Sequence, residues 1–365
     1  MPIRRLLLTT LLAVCAISTA LIAQSSSPSP STPRVELTPA PPLRLGTADS
    51  NSPAIWQRSG GDQMLHVMTS VAGLPSTSEG RSLRRLGGAD PIDLVPWPGG
   101  GVWMEAVVVD VDGTWYGYYH NENVATICGE TTKVLPRIGA ARSRDRGLTW
   151  QPIGIVLEAP PNSYDCESAN TYFVGGVGDF SVQLDPASRD LYIFFSMYLR
   201  SRRLQGVGVA RLAWADRDAP EGKAMVWRTG TWFPATRRVV AGQVRYVYPA
   251  AIPIFPAQDS WHDNDAVVDA FWGPSVHWNT YLEQYVMLLN RAKDDGFGQE
   301  GIYVSFAPRV DDPTLWSKPS KILDGGIWYP QVIGIEDGSG TDKLAGRWAR
   351  FFMGGLSEHL IQFIK

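Results

Sequence analysis

Cysteine is scarce in this 365-residue chain, which contains only three. One of them, Cys15, lies in a stretch that we expect to be removed from the mature protein. The remaining pair, Cys128 and Cys166, is too small a set to form a structural zinc site by itself. An even number of cysteines in a secreted chain predicts a disulfide, and two free thiols are the alternative.

An excess of basic residues is also lacking. Lys and Arg number 33 against 36 Asp and Glu, so the formal net charge is -3. Nucleic-acid binding favours a basic face, and this composition argues against such a partner. The sequence also has no phosphate-binding loop, dinucleotide fingerprint, G-x-S-x-G or H-E-x-x-H motif, so the enzyme classes that carry those motifs are not indicated.

A long apolar run stands at the N-terminus. Residues 1–23 combine Arg4 and Arg5 with this run, which is typical of a signal peptide. A membrane anchor is the alternative, although the run is short for a spanning helix. A lipoprotein signal ending at Cys15 fits less well, because the apolar run continues past it. We expect a secreted or periplasmic monomer without membrane contact after cleavage.

A Ser/Pro-rich linker follows over residues 24–43, and we expect it to be extended. The folded domain is predicted over residues 44–365. Residues 34–39 of the linker have the composition of a strand, and the last hairpin of the domain is short of one. We therefore predict that this segment completes the last sheet and covers its open edge.

One hairpin pattern is repeated five times along the domain. Each copy has a moderately apolar first strand, a turn with Gly, Asp or Asn, and an almost wholly apolar second strand rich in aromatics. A strand that is apolar on both faces must be covered on both faces, as in a propeller blade. The sequence therefore predicts an all-β, five-bladed β-propeller closed by an N-terminal strand, and a large β-sandwich is the alternative. The copies begin near Asn51, Glu105, Gly178, Gly273 and Tyr329.

The stretch from Ser143 to Trp150 matches the pattern S-x-D-x-G-x-T-W. Asp145 can accept main-chain N–H groups within such a turn, Gly147 can adopt a positive φ, and Trp150 can pack between strands. The pattern resembles the Asp-box of sialidase-type propellers. We interpret it as a structural turn and not as a catalytic site.

In a propeller, the starts of the first strands and the ends of the second strands lie at the same end of the channel. Carboxylates, aromatic rings, histidine and amides gather there, and such a set suits a sugar. The candidate catalytic residues are Asp49, Glu105 and Asp179. The candidate substrate-binding residues are Asn51, Trp103, His120, Glu122, Tyr198, His277, Asn290 and Tyr329.

The five hairpins, with Asp49 opening blade one and Asp179 opening blade three, resemble the five-bladed propeller glycoside hydrolases of the arabinanase and β-xylosidase type, family 43 and its relatives. The resemblance implies that Asp49 is the general base that activates water and that Asp179 tunes the pKa of the acid. It also implies an acidic Glu from a later blade, where this chain has Gly273–Trp278 instead. Glu105, or else Glu122, must then supply the proton.

These residues also have plainer interpretations. Asp49 and Asp179 are also consistent with a structural role in turns, and Glu122 with an exposed position on the surface. Glu105 lies within an apolar strand, where an unpaired ionised side chain is costly, and this favours a functional role. Three roles remain open for His277: a ligand of a channel metal, a contact to water, or a core residue.

The sequence thus predicts a secreted glycoside hydrolase that cleaves an arabinan- or xylan-type polysaccharide or oligosaccharide with inversion. No cofactor is required, and a channel metal such as calcium is compatible with the fold. A non-catalytic carbohydrate-binding propeller is the first alternative, and a sialidase-like hydrolase is the second.

Overall fold

The computed structural model describes residues 32–365 apart from positions 60, 125–127, 130–132, 264–266 and 337. The chain divides into two units, residues 1–32 and 33–365, and the second is described below. The predicted signal peptide and residues 24–31 of the predicted linker lie outside the described residues. In the described part of the chain, no helix is long and apolar enough to span a membrane.

The second unit is a five-bladed β-propeller, as the sequence predicts. The first strand of blade three contacts the first strands of blades two and four, so these strands lie towards the centre. The strands are Ala54–Ser59, Asp62–Val71, Leu74–Gly80 and Asp90–Pro91 in blade one; Gly101–Val109, Trp115–Val124, Val134–Ser143 and Thr149–Leu157 in blade two; Val177–Leu184, Asp190–Tyr198, Gln205–Ala213, Met225–Arg228 and Thr231–Pro234 in blade three; Ala270–Asn279, Gln284–Ala292, Gln299–Ala307 and Ser320–Asp324 in blade four; and Gln331–Gly334, Trp348–Met353, Leu356–Ile364 and Arg34–Arg44 in blade five.

Shorter elements add to the blades. Asp93–Leu94 and Leu344–Ala345 form parallel pairs with strands of blades two and four. Phe255–Pro256 pairs with the third strand of blade three. The remaining described elements are the hairpin Thr236–Val240 with Gln243–Val247 and the single-turn 3-10 helices Leu83–Arg85, Arg202–Leu204, Trp214–Asp216 and Pro313–Leu315.

The second strands are buried on both faces, which explains their apolar sequence. In blade three, Tyr192 and Phe194 pack with Met287 of blade four, whereas Ile193 and Phe195 pack with side chains of blade two. Successive side chains of a strand point to opposite faces, so one strand serves two blade interfaces. Burial of each such side chain stabilises the fold by about 1.5–3 kcal/mol.

The predicted closing strand is confirmed, and it is longer than residues 34–39. Arg34–Arg44 pairs antiparallel with Leu356–Ile364 in blade five. Val35 and Leu37 pack against the apolar cluster shared by blades four and five. The N-terminal strand therefore covers a sheet edge that would otherwise be open.

The predicted disulfide is also confirmed. Cys128 and Cys166 are bonded, with their Cα atoms 5.4 Å apart. The bridge joins the region after the second strand of blade two to the loop that precedes blade three. The same loop carries Tyr172 and Phe173, which line the candidate site described below, so the bridge restrains a segment of that site.

The turn after the third strand of blade two is held by its own side chains. The Asp145 carboxylate accepts the Thr149 main-chain N–H (2.9 Å) and hydroxyl (2.6 Å). Gly147 has a φ of 86°, and the buried Trp150 indole donates to its carbonyl (2.9 Å). These contacts give the turn a structural role, while its relation to sialidases stays a prediction.

Candidate active site

Two inner strands carry a β-bulge at the residue that the sequence singles out. The pairing register of blade two shifts between Met104 and Ala106, which leaves Glu105 unpaired. In blade three it shifts around Asp179, whose φ is 41°. Bulges re-aim side chains, and a positive φ outside glycine is a backbone strain that can accompany a functional role. The Phe180 N–H donates to Glu105 Oε2 (2.8 Å) and ties the two bulges together.

His120 lies between these carboxyl groups. Its Nδ1 is 3.7 Å from Glu105 Oε1 and 3.4 Å from Asp179 Oδ1, and its Nε2 is 3.4 Å from Glu122 Oε1. The ring fits because Gly178 has no side chain: a Cβ there would come within 2.4 Å of Nδ1. One imidazole therefore joins a carboxyl of blade three to two carboxyls of blade two.

Burial alone would lower the pKa of His120, but Asp179 and Glu122 raise it well above its ordinary value. The main-chain N–H of Asp179, 3.0 Å from Nδ1, opposes a proton on that nitrogen. Full charges outweigh one amide dipole in a buried site, so the carboxylates favour the charged form of the ring.

Asp179 and Glu105 are both buried, yet they differ in charge. Burial would raise the pKa of Asp179, but His120 and the hydroxyls of Tyr198 and Tyr329, which donate to its two oxygens, lower it. For Glu105, burial and the charge of Asp179 raise the pKa well above its ordinary value. Asp179 is thus the ionised member of the pair and Glu105 the protonated one.

A small pocket of about 50 Å³ opens beside these groups, and we call it the aromatic pocket. Three carboxyl groups share its lining with six aromatic rings. Glu105 is not part of the lining, since none of its surface is exposed. The lining residues are Asp49, Glu122, Tyr172, Phe173, Asp179, Trp272, Phe297, Trp328 and Tyr329.

Asp49 is the half-buried carboxyl of this lining. Its main-chain N–H donates to the Ser70 carbonyl (2.7 Å), which fixes the end of the segment before blade one. Burial and the negative charges of Asp179 and Glu122 raise its pKa to about 6. Asp49 therefore changes its charge close to neutral pH, as a group suited to proton transfer does.

Other predicted site residues support the pocket without lining it. The buried Asn51 amide donates to the carbonyls of Phe180 (2.9 Å) and Pro274 (3.0 Å) and so joins three blades. The side-chain oxygen Oδ1 of Asn290 accepts the Tyr329 main-chain N–H (3.0 Å). Both asparagines are buried structural links, and neither is exposed towards a substrate.

Trp103 and His277 lie outside the lining altogether. The Trp103 ring packs edge-on against His120, with ring centroids 5.4 Å apart. His277 is eight positions into the inner strand Ala270–Asn279 of blade four, and its ring packs against Phe363. We expected this strand to begin near Gly273, but it begins at Ala270. His277 therefore lies near the end of the strand that is far from the aromatic pocket.

Five aromatic rings of the lining are absent from the candidate substrate-binding residues. Trp272 stands at the true start of the blade-four strand, and Trp328 directly precedes the predicted Tyr329. Tyr172, Phe173 and Phe297 come from loops, where spacing gives no indication of what they contact. Only the adjacency of Trp328 to Tyr329 was a usable signal.

Glu105, His120 and Asp179 also place ligand atoms within 4.8 Å of one another, close enough to share a metal ion. Calcium takes six to eight oxygen ligands. This group offers two carboxyls and an imidazole, and both oxygens of Asp179 already accept hydroxyl hydrogen bonds. The trio therefore fits calcium poorly, and the channel metal stays a prediction.

No family model and no curated protein matches this chain. Among solved structures, it is similar to an endo-arabinase from Bacteroides thetaiotaomicron, with 12% identity and a TM-score of 0.47 over 90% of this chain and 98% of that one. It is also similar to an α-L-arabinofuranosidase from Podospora anserina in complex with cellotriose (14% identity, TM-score 0.47, 90% and 97% covered). A third similar structure is a putative exo-β-1,3-galactanase from Bifidobacterium bifidum, with 13% identity and a TM-score of 0.46 over 85% of this chain and 86% of that one. The similarity is one of overall fold alone, and the five-bladed propeller implied by the sequence resemblance is the fold observed.

Proposed function

We propose that this chain is a secreted, inverting glycoside hydrolase that acts on arabinan- or xylan-type chains. The observation that carries the proposal is that Asp49 and Glu122 line one pocket with six aromatic rings. Two carboxyl groups flanking a glycosidic bond are the usual means of its hydrolysis, and aromatic rings suit the faces of a sugar.

Asp49 is proposed as the general base. It takes a proton from water as the water oxygen bonds to the anomeric carbon and the glycosidic C–O bond breaks. A pKa of about 6 keeps its carboxyl ionised at neutral pH and still basic enough to accept the proton.

Glu122 is proposed as the general acid in place of Glu105. Glu105 is wholly buried and cannot touch a substrate, whereas Glu122 lines the pocket. The His120 Nε2 lies 3.4 Å from the Glu122 carboxylate, so the imidazolium can supply the proton that Glu122 then passes on to the leaving oxygen. His120 is a positioning and proton-supplying residue in this scheme.

Asp179 is proposed to set the charge of the site. It stays ionised, held by Tyr198 and Tyr329, and its negative charge raises the pKa of Asp49. The same hydrogen bonds hold both phenols protonated: burial and the Asp179 charge raise their pKa values well above normal. Tyr329 is therefore a donor to Asp179 and not a nucleophile.

A non-catalytic sugar-binding propeller is the second candidate. The ring-rich lining favours it, as does the stretch Gly273–Trp278, which has no carboxyl where the family resemblance implies an acid. A sialidase-like enzyme is not favoured, since the described lining of the aromatic pocket includes no arginine to bind a carboxylate.

The proposal is tested by reducing-sugar release from arabinan, xylan, arabinogalactan and sialosides. On the best substrate, Asp49→Asn should cost at least about a hundredfold in kcat. Glu122→Gln should cost as much on the polymer and less on an activated aryl glycoside, which needs little protonation. Glu358→Gln, an exposed carboxyl outside the pocket, is the matched control.

Product stereochemistry, followed by NMR, tests inversion separately. Near-normal turnover by both Asp49→Asn and Glu122→Gln would reject the catalytic assignment. Saturable binding of the polymers without any sugar release would favour the binding module instead.

A further inference from the structure

A second cavity, of about 430 Å³, lies where blade one meets blade five, and it shares no lining residue with the aromatic pocket. We call it the arginine cavity. Its walls come from the closing strand, the first two strands of blade one, the loop that holds Arg84, and blade five. Lining residues that matter here are Pro41, Leu43, Trp56, Arg84, Glu336 and Arg350.

Arg350 is the unusual member of this lining. Only 4% of its surface is exposed, and it forms no ion pair with any carboxylate in the described part of the chain. Its Nη2 donates to the Pro41 and Ser357 carbonyls (both 2.9 Å), while Nε is sealed from solvent without a partner. A buried charge without a counter-charge is costly.

The Nη1 atom of Arg350 makes no hydrogen bond to a described residue, yet it is not among the atoms sealed from solvent. Nη1 is therefore the guanidinium nitrogen left to donate to a ligand, and Arg350 lines the cavity. Arg84, also in the lining and without an ion pair to a described residue, adds a second positive charge. Glu336 contributes one negative charge but pairs with neither arginine, so the charged lining is net positive.

We propose that the arginine cavity binds a small organic anion, whose carboxylate or phosphate group is held by Arg350 and Arg84. Guanidinium groups suit both kinds of anion. The apolar body of such a ligand would contact Leu43, Leu65 and the half-buried Trp56 ring, all of which line the same cavity. This site is independent of the proposed hydrolase activity and goes beyond it.

Isothermal titration calorimetry with inorganic phosphate and with D-glucuronate tests the proposal, with glucose as the uncharged control for the sugar. We expect saturable binding of at least one anion, weakened by added salt, and no binding of glucose at this cavity. Binding of phosphate alone or of glucuronate alone would identify the anionic group that the cavity prefers.

Arg84→Ala should weaken anion binding about fivefold, because an exposed cation contributes modestly. Arg85→Ala, an exposed neighbour outside the lining, is the matched control and should leave the Kd unchanged. Arg350→Lys should weaken binding further. If this variant fails to fold, the comparison of Arg84→Ala with Arg85→Ala still tests the proposal. Absence of binding by both anions, or equal affinity of wild type and Arg84→Ala, would overturn the proposal and leave Arg350 as a structural clamp of the closing strand.

Discussion

Two buried histidines of this propeller lie in opposite electrostatic surroundings. His120, 2% exposed, has three carboxyl groups within 4 Å of its ring nitrogens. His277, wholly buried in blade four, has no partner for either ring nitrogen among the described residues. Burial and the nearby Lys343 lower the pKa of His277 to about 3, so this ring is neutral.

The comparison shows that burial does not indicate function by itself. Both rings are inside the molecule, and both look alike in sequence, each within an aromatic-rich strand. What differs is the set of charged groups that surround the ring. At the site end, Asp179 and Glu122 hold His120 charged, whereas His277 packs against Phe363 as a core side chain does.

The same substitution at both positions should therefore have opposite effects. His120→Leu removes the cation between Asp179 and Glu122 and leaves buried negative charge uncompensated. We expect a loss of about 3–5 kcal/mol in the free energy of unfolding, as when one partner of a buried ion pair is removed. Urea denaturation at neutral pH measures it, and a loss under about 1 kcal/mol would contradict the cationic assignment of His120.

His277→Leu is the matched control and gives the second prediction. Its ring nitrogens lose their hydration on folding and form no hydrogen bond to a described residue. An apolar side chain avoids this cost and should therefore stabilise the fold by about 1 kcal/mol. Hydrolytic activity should be unchanged. A destabilised His277→Leu protein would contradict the assignment of His277 as a core side chain without a hydrogen-bond partner.

The repeating pattern of the sequence predicted the blades, because second strands that are covered on both faces must be apolar throughout. The composition of residues 34–39 predicted the closing strand, and the pair of cysteines predicted the disulfide. The site could be predicted only in part from the sequence, because the bulges at Glu105 and Asp179 depend on the register between strands and not on local composition. Asp179 at one bulge lines the pocket, whereas Glu105 at the other is wholly buried and does not. The loop rings Tyr172 and Phe297 gave no sequence signal at all.

A third prediction concerns how far the charge of Asp179 extends. The negative charge of Asp179 raises the pKa of Asp49, so Asp179→Asn should lower it. If Asp49 is the base, the acid limb of the kcat/KM profile should move from about pH 6 to a lower pH by about one unit. A limb on the alkaline side near pH 6 would instead make Asp49 the acid, and an unmoved limb would remove Asp179 from its tuning role.

The smallest expected effect is on the pH dependence of stability, and it comes from Asp49 itself. Its pKa is raised by folding from an ordinary 3.8 to about 6, so the folded state binds more protons than the unfolded state between those values. Stability should therefore fall as pH rises from about 4 to about 6, and should be lowest from this source above pH 6. Because Asp49 is half exposed, solvent screening should reduce the change to about 1 kcal/mol. Chemical denaturation at pH 4.5 and 7 should show a drop in wild type that Asp49→Asn lacks, since an amide does not titrate. An identical pH dependence in both proteins would mean that the carboxyl does not experience the negative potential that distinguishes the His120 end of the molecule from the His277 end.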